Sequence, residues 1–343
     1  MPKIQAFNEF NNIFDQNFYM KKIIGIGNAL VDIVTFIDND DTLRKLSLPK
    51  GSMQLVDADR SEKIKNETLC FPRVLSSGGS AANTIHGLGM LGAEAAFIGS
   101  TGEDESAIIF ENDLKKAGVR TILKHCKSPT GTAVALVTPD GERTFGTHLG
   151  AAVEISAEDL SPLLFKDYDI LYLEGYLIYN MPLVTEACRL ARSNKMTVAL
   201  DLASYNVVNE NKDSFRIIVK EFTDILFANE QEAEAFTGEK PGKAIMSLSG
   251  MCKSVVVKTG EKGSLVSDGN KVYSVRPFPV KCIDTTGAGD LYASGFLYGY
   301  ALGKDPGTCG TYGSLLASRV IEVTGARIPE NTWSEIMKTI KSI

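Results

Sequence analysis

Asp284-Thr285-Thr286-Gly287-Ala288-Gly289-Asp290 is the segment whose residue types and spacing most directly allow chemistry. A β-type run, Lys281-Cys282-Ile283, leads into it, and an apolar helical pattern beginning Leu291-Tyr292-Ala293 leads out. Two glycines around one small residue let the backbone bend tightly and gather several N–H groups at a helix start. Those unpaired donors and the positive end of the helix dipole favour an anion. A carboxylate at the last position of the turn repels a phosphate that is merely bound. It suits proton transfer instead, since Asp290 can remove a proton from a hydroxyl while the N–H groups stabilise charge on a transferring phosphoryl group. For these residues alone, a glycine-rich turn with an Asp capping the helix is the plainer alternative.

A second glycine cluster, Ser76-Ser77-Gly78-Gly79-Ser80-Ala81-Ala82-Asn83, opens another helical pattern. Gly78 and Gly79 allow a ligand to approach the backbone, and Asn83, one turn into the helix, offers a donor and an acceptor. That combination suits a polyhydroxylated ligand such as a sugar ring. Asn28 and Asp32 flank the exit of the first strand, and one carboxylate can accept hydrogen bonds from two neighbouring ribose hydroxyls. Each feature also reads as an ordinary turn or capped helix.

These residues need a scaffold, and from Lys22 the chain alternates strand-like and helix-like patterns. Strands are expected over 23–27, 95–99, 170–173, 197–200, 225–227 and 254–258. Helices are expected over 81–91, 182–192, 214–221, 230–236, 287–302 and 306–323. Short apolar runs alternating with longer amphipathic ones imply an α/β fold with a parallel sheet covered on both faces. In such sheets the ligand crevice lies beyond the carboxyl ends of the strands. Gly27, Asp201, Asn229 and Asp284 all follow expected strands and should share that rim. Residues 31–56 and 130–150 break the rhythm with strand-type segments and turns such as Pro139-Asp140-Gly141. They predict antiparallel strands in a small sheet hinged over the crevice, a lid that keeps water from an activated phosphate. An edge extension or a dimer surface is the alternative.

The 343 residues are 44% hydrophobic and 23% charged, ordinary values for a globular chain long enough for one large α/β domain with a smaller appendage. A formal charge of −6 with no basic run excludes nucleic acid and anionic membrane surfaces as expected partners. A small anionic ligand must then be held by local donors. Six scattered cysteines without a CxxC pair point to buried thiols in a reducing, cytoplasmic setting, not a disulfide frame or zinc site. His86, His125 and His148 alone give little material for a histidine metal site or a Ser-His-Asp triad. Residues 1–20 are polar, Asn-rich and aromatic, without the apolar core and cleavage site of a signal peptide. They read as an N-terminal extension to a domain over 21–343, with Met20 an alternative start. No apolar run is long enough to span a bilayer.

Together the motifs resemble those of the ribokinase-like carbohydrate and nucleoside kinases, the PfkB family, from about residue 22 to 328. The carrying segments are GNALVD (27–32), SGGSAANT (77–84), ILFANEQEAEAF (225–236), VVVKTGEKGS (255–264) and DTTGAGDLYASGF (284–296), in the family's order. Within the family the chain is most similar to adenosine kinases and their bacterial relatives. HLGAAVEIS (148–156), LYLEGYLIYN (171–180) and DILFANEQE (224–232) match in the same way, and the GGKGAN-type second motif of ribokinases is absent.

The resemblance implies a ribokinase-like three-layer α/β/α fold, a mainly parallel sheet plus a small β-sheet lid, and ATP and Mg²⁺ as companions of the reaction. It implies that Asp290 is the base on the acceptor hydroxyl, the 5′-OH of a nucleoside, with the N–H groups of Gly287, Ala288 and Gly289 as the anion hole. Asp32 would hold ribose hydroxyls, helped by Asn28, Gly78, Gly79 and Asn83. Asn229 and Glu232 match the family's NxxE motif, which positions Mg²⁺ and phosphates largely through water. Gly260 and Gly263 would lie near ATP. Arg143 would add positive charge at the phosphates and Tyr176 would stack on a base, although each reads as readily as structural. Two departures stand out. Lys258-Thr259-Gly260 replaces the family's frequent Thr-x-Gly, which puts the hydroxyl contact at the first position in question. SAAN replaces a bulkier polar stretch of animal adenosine kinases. Some members of the family bind a monovalent cation near the segment corresponding to Asp284–Thr286.

The expected activity is ATP- and Mg²⁺-dependent phosphorylation of a primary hydroxyl on a ribosyl substrate, adenosine first, by a monomer or homodimer. A sugar kinase of the same family, acting on ribose, fructose or a related ketose, is the nearer rival. A catalytically silent nucleotide-binding protein is the rival from another class, opposed by Asp290 and the complete glycine turn. A dinucleotide oxidoreductase is disfavoured because Gly25-Ile26-Gly27-Asn28-Ala29-Leu30 lacks the third glycine of GxGxxG.

Overall fold

The computed structural model describes residues 19–343, so most of the expected N-terminal extension lies outside the described residues. In chain order the strands begin with β1 (Ile23–Ile26), β2 (Leu30–Phe36), β3 (Met53–Leu55), β4 (Arg73–Gly78), β5 (Ala95–Thr101), β6 (Arg120–His125) and β7 (Gly131–Val137). They continue with β8 (Arg143–His148), β9 (Ile170–Glu174), β10 (Thr197–Asp201), β11 (Ile225–Asn229), β12 (Ser254–Lys258), β13 (Ser264–Ser267) and β14 (Val272–Val275). A nine-stranded sheet has the order β14-β13-β12-β11-β10-β9-β1-β5-β6. Its strands run parallel from β12 to β6, and only the β12–β13 and β13–β14 pairings are antiparallel.

The period of two along each strand explains the three layers. Ile23, Tyr172, Phe227 and Val256 pack on one face with the helices Ser80–Met90, Ala288–Ala301 and Pro306–Val320. Their strand neighbours Ile24, Leu171, Leu226 and Val255 pack on the other with the helices Met181–Ser193, Lys212–Phe222 and Pro241–Ser249. Each fully buried aliphatic side chain contributes about 1.5–3 kcal/mol relative to exposure. Apolar runs buried on both sides are therefore stable only as central strands.

A second, five-stranded sheet has the order β3-β8-β7-β2-β4. It is mixed, not antiparallel as its hairpin turns suggested: β2 pairs with β7 and β3 with β8 in parallel, while β2–β4 and β7–β8 are antiparallel. Sequence-distant segments pair there, and their direction is set by where the main sheet delivers them. The segment Arg73–Gly78, whose end reads in the sequence as a glycine cluster and not as a strand, supplies its β4 edge.

Lys281-Cys282-Ile283 forms no strand. The amides of Ile283 and Asp284 donate instead to the carbonyl of Ile321, at the end of the helix Pro306–Val320. Asp284 thus reaches the glycine turn from a helix end and not from a strand. Four of the cysteines are buried, but Cys70 and Cys282 are exposed. Among the described residues no helix is long and apolar enough to cross a membrane.

Candidate active site

β1 and β9 are parallel neighbours at which the strand order reverses, since β5 continues from β1 to one side and β10 from β9 to the other. A crevice opens beyond the carboxyl ends of strands at such a point. Glu174 ends β9 there, 2% exposed. One of its carboxylate oxygens accepts from the Asn28 amide N–H at 3.0 Å and the Asn28 side chain at 2.6 Å, the other from the Ala81 N–H at 2.8 Å. Burial pushes its pKa up to about 7 against these donors. Glu174 clamps the end of β1 to the start of the helix Ser80–Met90. No sequence motif singles out Glu174, although an acid at the end of a buried strand is a signal that could have.

The next turn of the crevice holds Asp32. β2 and β4 pair with Leu30 opposite Gly78, and the Asp32 carboxylate lies over the Gly78 Cα, where any side chain would overlap it. Gly79, at φ 95°, passes just as closely over the Asn28 carbonyl. This glycine pair makes room for the chain's own polar groups. Burial raises the Asp32 pKa to about 7, with Arg327 and Arg143 opposing and the charge of Asp290 adding to the rise.

Asp290 stands in the first turn of the helix Ala288–Ala301, whose N-cap Gly287 has φ 74°. A side chain on Gly287 would begin 2.6 Å from the Ala326 Cβ. Gly287, Ala288 and Gly289 precede Asp290 at the open helix end, where backbone N–H groups lack intrahelical partners; the Ala288 N–H donates instead to the Thr285 carbonyl at 3.1 Å, so this member of the expected anion hole is already engaged within the turn. The Asp290 carboxylate accepts from Ser80 Oγ at 2.7 Å and from Asn83 Nδ2 at 2.9 Å. Burial raises its pKa to about 6, and these two donors hold it from rising further.

Asn83 is itself held. Its Oδ1 accepts from Arg327 Nη1 at 2.6 Å, and arginine has no acceptor to offer. The amide oxygen therefore faces Arg327 and the NH₂ faces Asp290. Arg327 in turn donates to Asp113 at 3.2 Å and to the carbonyl and hydroxyl of Ser77. Nothing local in the sequence distinguishes Arg327 or Asp113, and Ser80 stands there only as part of the second glycine cluster, without a role of its own.

On the other flank of the turn, Arg143 reaches across from β8. Its guanidinium donates to the Thr286 hydroxyl and pairs with Asp284, whose side chain is 5% exposed. Asp284 also accepts from the Thr286 N–H at 2.9 Å and the Gly325 N–H at 2.5 Å. Asn229 and Glu232 form a capping box: the Asn229 amide and side chain donate to the two Glu232 oxygens at 2.7 and 2.6 Å, and the Glu232 N–H returns 2.8 Å to Asn229 Oδ1. Burial raises the Glu232 pKa, partly offset by Lys258. Lys258, seen in the sequence only as a missing hydroxyl, ends β12 and pairs with Asp201 at 2.8 Å. Gly260 faces open space, whereas Gly263 lies against the Val275 carbonyl at the start of the β13–β14 hairpin. Tyr176 is half-buried after β9; burial and the charges of Asp290 and Glu174 keep its hydroxyl well above the ordinary phenol range. The structure thus gathers Asn28, Asp32, Gly78, Gly79, Asn83, Tyr176 and Asp290 on one side of the glycine turn. Arg143 meets the turn itself, and Asn229 and Glu232 lie beyond it, at the end of β11 and in the first turn of the helix Glu230–Thr237 that follows.

Among the described residues, no group of three or more His, Cys, Asp or Glu side chains is arranged to hold a metal ion. Around Lys258, however, Asp201, Glu232 and Asp290 set three carboxylates against one ammonium. That imbalance fits a Mg²⁺ ion held mainly by phosphates and water, with Glu232 behind it.

Residues 52–333 match the family described as pfkB family carbohydrate kinase. A probable sugar kinase protein from Rhizobium etli superposes with a TM-score of 0.86 at 34% identity, covering 95% of this chain and 100% of its own. The adenosine kinase of Sinorhizobium meliloti superposes with a TM-score of 0.84, also at 34% identity, covering 93% and 99%. The adenosine kinase of Saccharomyces cerevisiae is 29% identical over 336 residues, covering 91% of this chain and 98% of its own.

Proposed function

The chain belongs to the pfkB carbohydrate kinase family, and we propose that it transfers the terminal phosphoryl group of ATP to the 5′-hydroxyl of adenosine. One observation carries this reading: Asp290 is oriented by Ser80 and Asn83 at the open end of a helix, with Asp32 close enough to sense its charge. An acceptor lying between the two carboxylates would place vicinal ribose hydroxyls on Asp32 and the primary hydroxyl on Asp290.

Asp290 takes the hydroxyl proton as the oxygen bonds to the γ-phosphorus. The bond from that phosphorus to the β–γ bridging oxygen breaks, and its electron pair leaves with ADP. The N–H groups of Gly287 and Gly289 and the Arg143 guanidinium stabilise the charge that spreads over the transferring oxygens. Mg²⁺, held through water by Glu232, would neutralise phosphate charge. Asn229, Gly260 and Gly263 lie on the nucleotide side, and the smaller sheet serves as a lid that excludes water.

Acceptor charge is the point on which the pocket speaks most clearly. Arg327, whose field Asp32 senses, has its donors engaged by Asp113, Asn83 and Ser77. What faces the acceptor is carboxylate. An uncharged polyol suits such a lining better than a sugar acid, and Tyr176 offers the flat apolar surface a base needs. The equal identity to the probable sugar kinase of R. etli favours a neutral sugar as the second reading. A turnover panel of adenosine, inosine, ribose and fructose with ATP and Mg²⁺ separates the two. Adenosine should show the highest kcat/KM. A preference for ribose or fructose replaces the acceptor, and no turnover with any of them sinks the reading.

The base also sets a pH profile. Asp290 works only ionised, so kcat/KM should fall as pH drops through about 6. Asn83→Leu removes a donor that stabilises the carboxylate, so the acid limb should move upward. A hydrogen bond to a charged group is worth about 1.5–3 kcal/mol, or roughly 1–2 pH units. An acid limb that stays in place would show that Asn83 does not tune the base.

A further inference from the structure

We propose that Lys258 is a catalytic residue whose ammonium holds the transferring phosphoryl group at the Gly289 side of the glycine turn. This rests on the reading of the turn as the phosphoryl site. Lys258 is the last residue of β12, in register with Asn229 of β11, so its side chain leaves the sheet at the carboxyl edge where the nucleotide side of the crevice begins. It is 14% exposed and pairs with Asp201 at 2.8 Å. The same Nζ lies 3.1 Å from the point a Cβ on Gly289 would occupy. The ammonium therefore stands beside Gly289, over the face of the turn that a side chain there would cover.

The two cations at the turn are placed differently. Arg143 is tied to Asp284 and Thr286, at the approach to the turn. Lys258 stands at Gly289, and among the described residues its hydrogen-bond partner is Asp201 alone. An ammonium has three donors and no acceptor, so further hydrogens are free for phosphate oxygens. Lysine binds phosphate as a compact point charge, without the geometric demand of a guanidinium fork. Burial disfavours its charge, but Asp201, Glu232 and Asp290 together keep it above the ordinary lysine range. It stays cationic as the phosphoryl group arrives. At this position a threonine hydroxyl could only donate a neutral hydrogen bond. A lysine adds a full charge at the place where negative charge spreads in the transition state.

A purely structural role makes a different forecast, because the Lys258–Asp201 pair also ties β12 to β10 across β11. The test uses the full chain carrying Lys258→Met or Lys258→Arg, with ATP and ADP as probes. In calorimetric titrations, Lys258→Met should weaken ATP by about tenfold more than ADP, since only ATP carries the group at the turn. With the acceptor that wild type uses, kcat should fall by about 10²–10³-fold. Lys258→Arg, which keeps the charge, should recover most of the selective ATP loss. Equal weakening of ATP and ADP by Lys258→Met, accompanied by a lower Tm, overturns the proposal in favour of a structural ion pair. An arginine variant as defective as the methionine one also overturns it. Should wild type phosphorylate none of the four acceptors, the adenosine reading fails, while the ATP-against-ADP comparison still decides the role of Lys258.

Discussion

Asp290→Asn should lower kcat by about 10²–10⁴-fold, the usual worth of a positioned general base, while ATP still binds. The substitution is close to isosteric and keeps an oxygen for one of the two donors, Ser80 Oγ or Asn83 Nδ2. What it removes is the lone pair that accepts the proton. With its NH₂ turned towards Ser80 the asparagine can donate to the hydroxyl, which accepts as well as donates, while its oxygen still accepts from Asn83 Nδ2. Binding of ATP is expected to hold or strengthen slightly, because a negative charge beside the phosphoryl site has gone. Rapid-quench measurement of the chemical step, alongside titration of ATP, separates the two effects. Turnover close to that of wild type would remove Asp290 from the role of base.

Arg143→Met should be the second most damaging change, and it acts on two levels. It withdraws a guanidinium that touches Thr286 in the anion turn, for which a loss of about 10²–10³-fold in kcat is expected. It also strands the Asp284 carboxylate, which is 5% exposed. Breaking a buried pair from one side costs about 3–5 kcal/mol, and here the lower end applies because two backbone N–H groups still serve Asp284. Denaturation midpoints and kcat read the two levels separately. Arg143→Lys restores charge without the two-pronged contact, so it should regain rate only partly. An Arg143→Met protein that is less stable but fully active would confine Arg143 to holding β8 against the turn.

Both predictions concern residues found in the sequence, yet which residues they pair with was not legible there. Asp290 announced itself through the glycines before it and the apolar helix after it, all within a few residues. Asn229 and Glu232 stood out through the resemblance to the family's NxxE motif, and the capping box that joins them is a local device closing within three residues. The same holds for the central strands. An apolar run buried on both faces can be recognised from its own residues, and the strands came within one or two residues of the patterns that announced them.

Other features had no local signature. Arg327 meets Asn83 across 244 positions of sequence, Asn83 meets Asp290 across 207, and Arg143 meets Thr286 across 143. Lys281–Ile283 has strand composition but is captured by the end of a helix. Lys258 read as a lost hydroxyl until β12 carried its ammonium to Gly289.

From its order of residues alone, this chain determined the central strands and the main helices that cover them, where the glycine turn lies, and which carboxylate stands at its mouth. Those depend on hydrogen bonds and side-chain periods that close within a few residues. Only the tertiary structure decided which charges meet: Glu174 with Asn28, Arg327 with Asn83, Arg143 with Asp284, and Lys258 with Asp201. Coulomb and hydrogen-bond energies act over a few ångströms of space, and it is the sheet's strand order that brings these distant positions together.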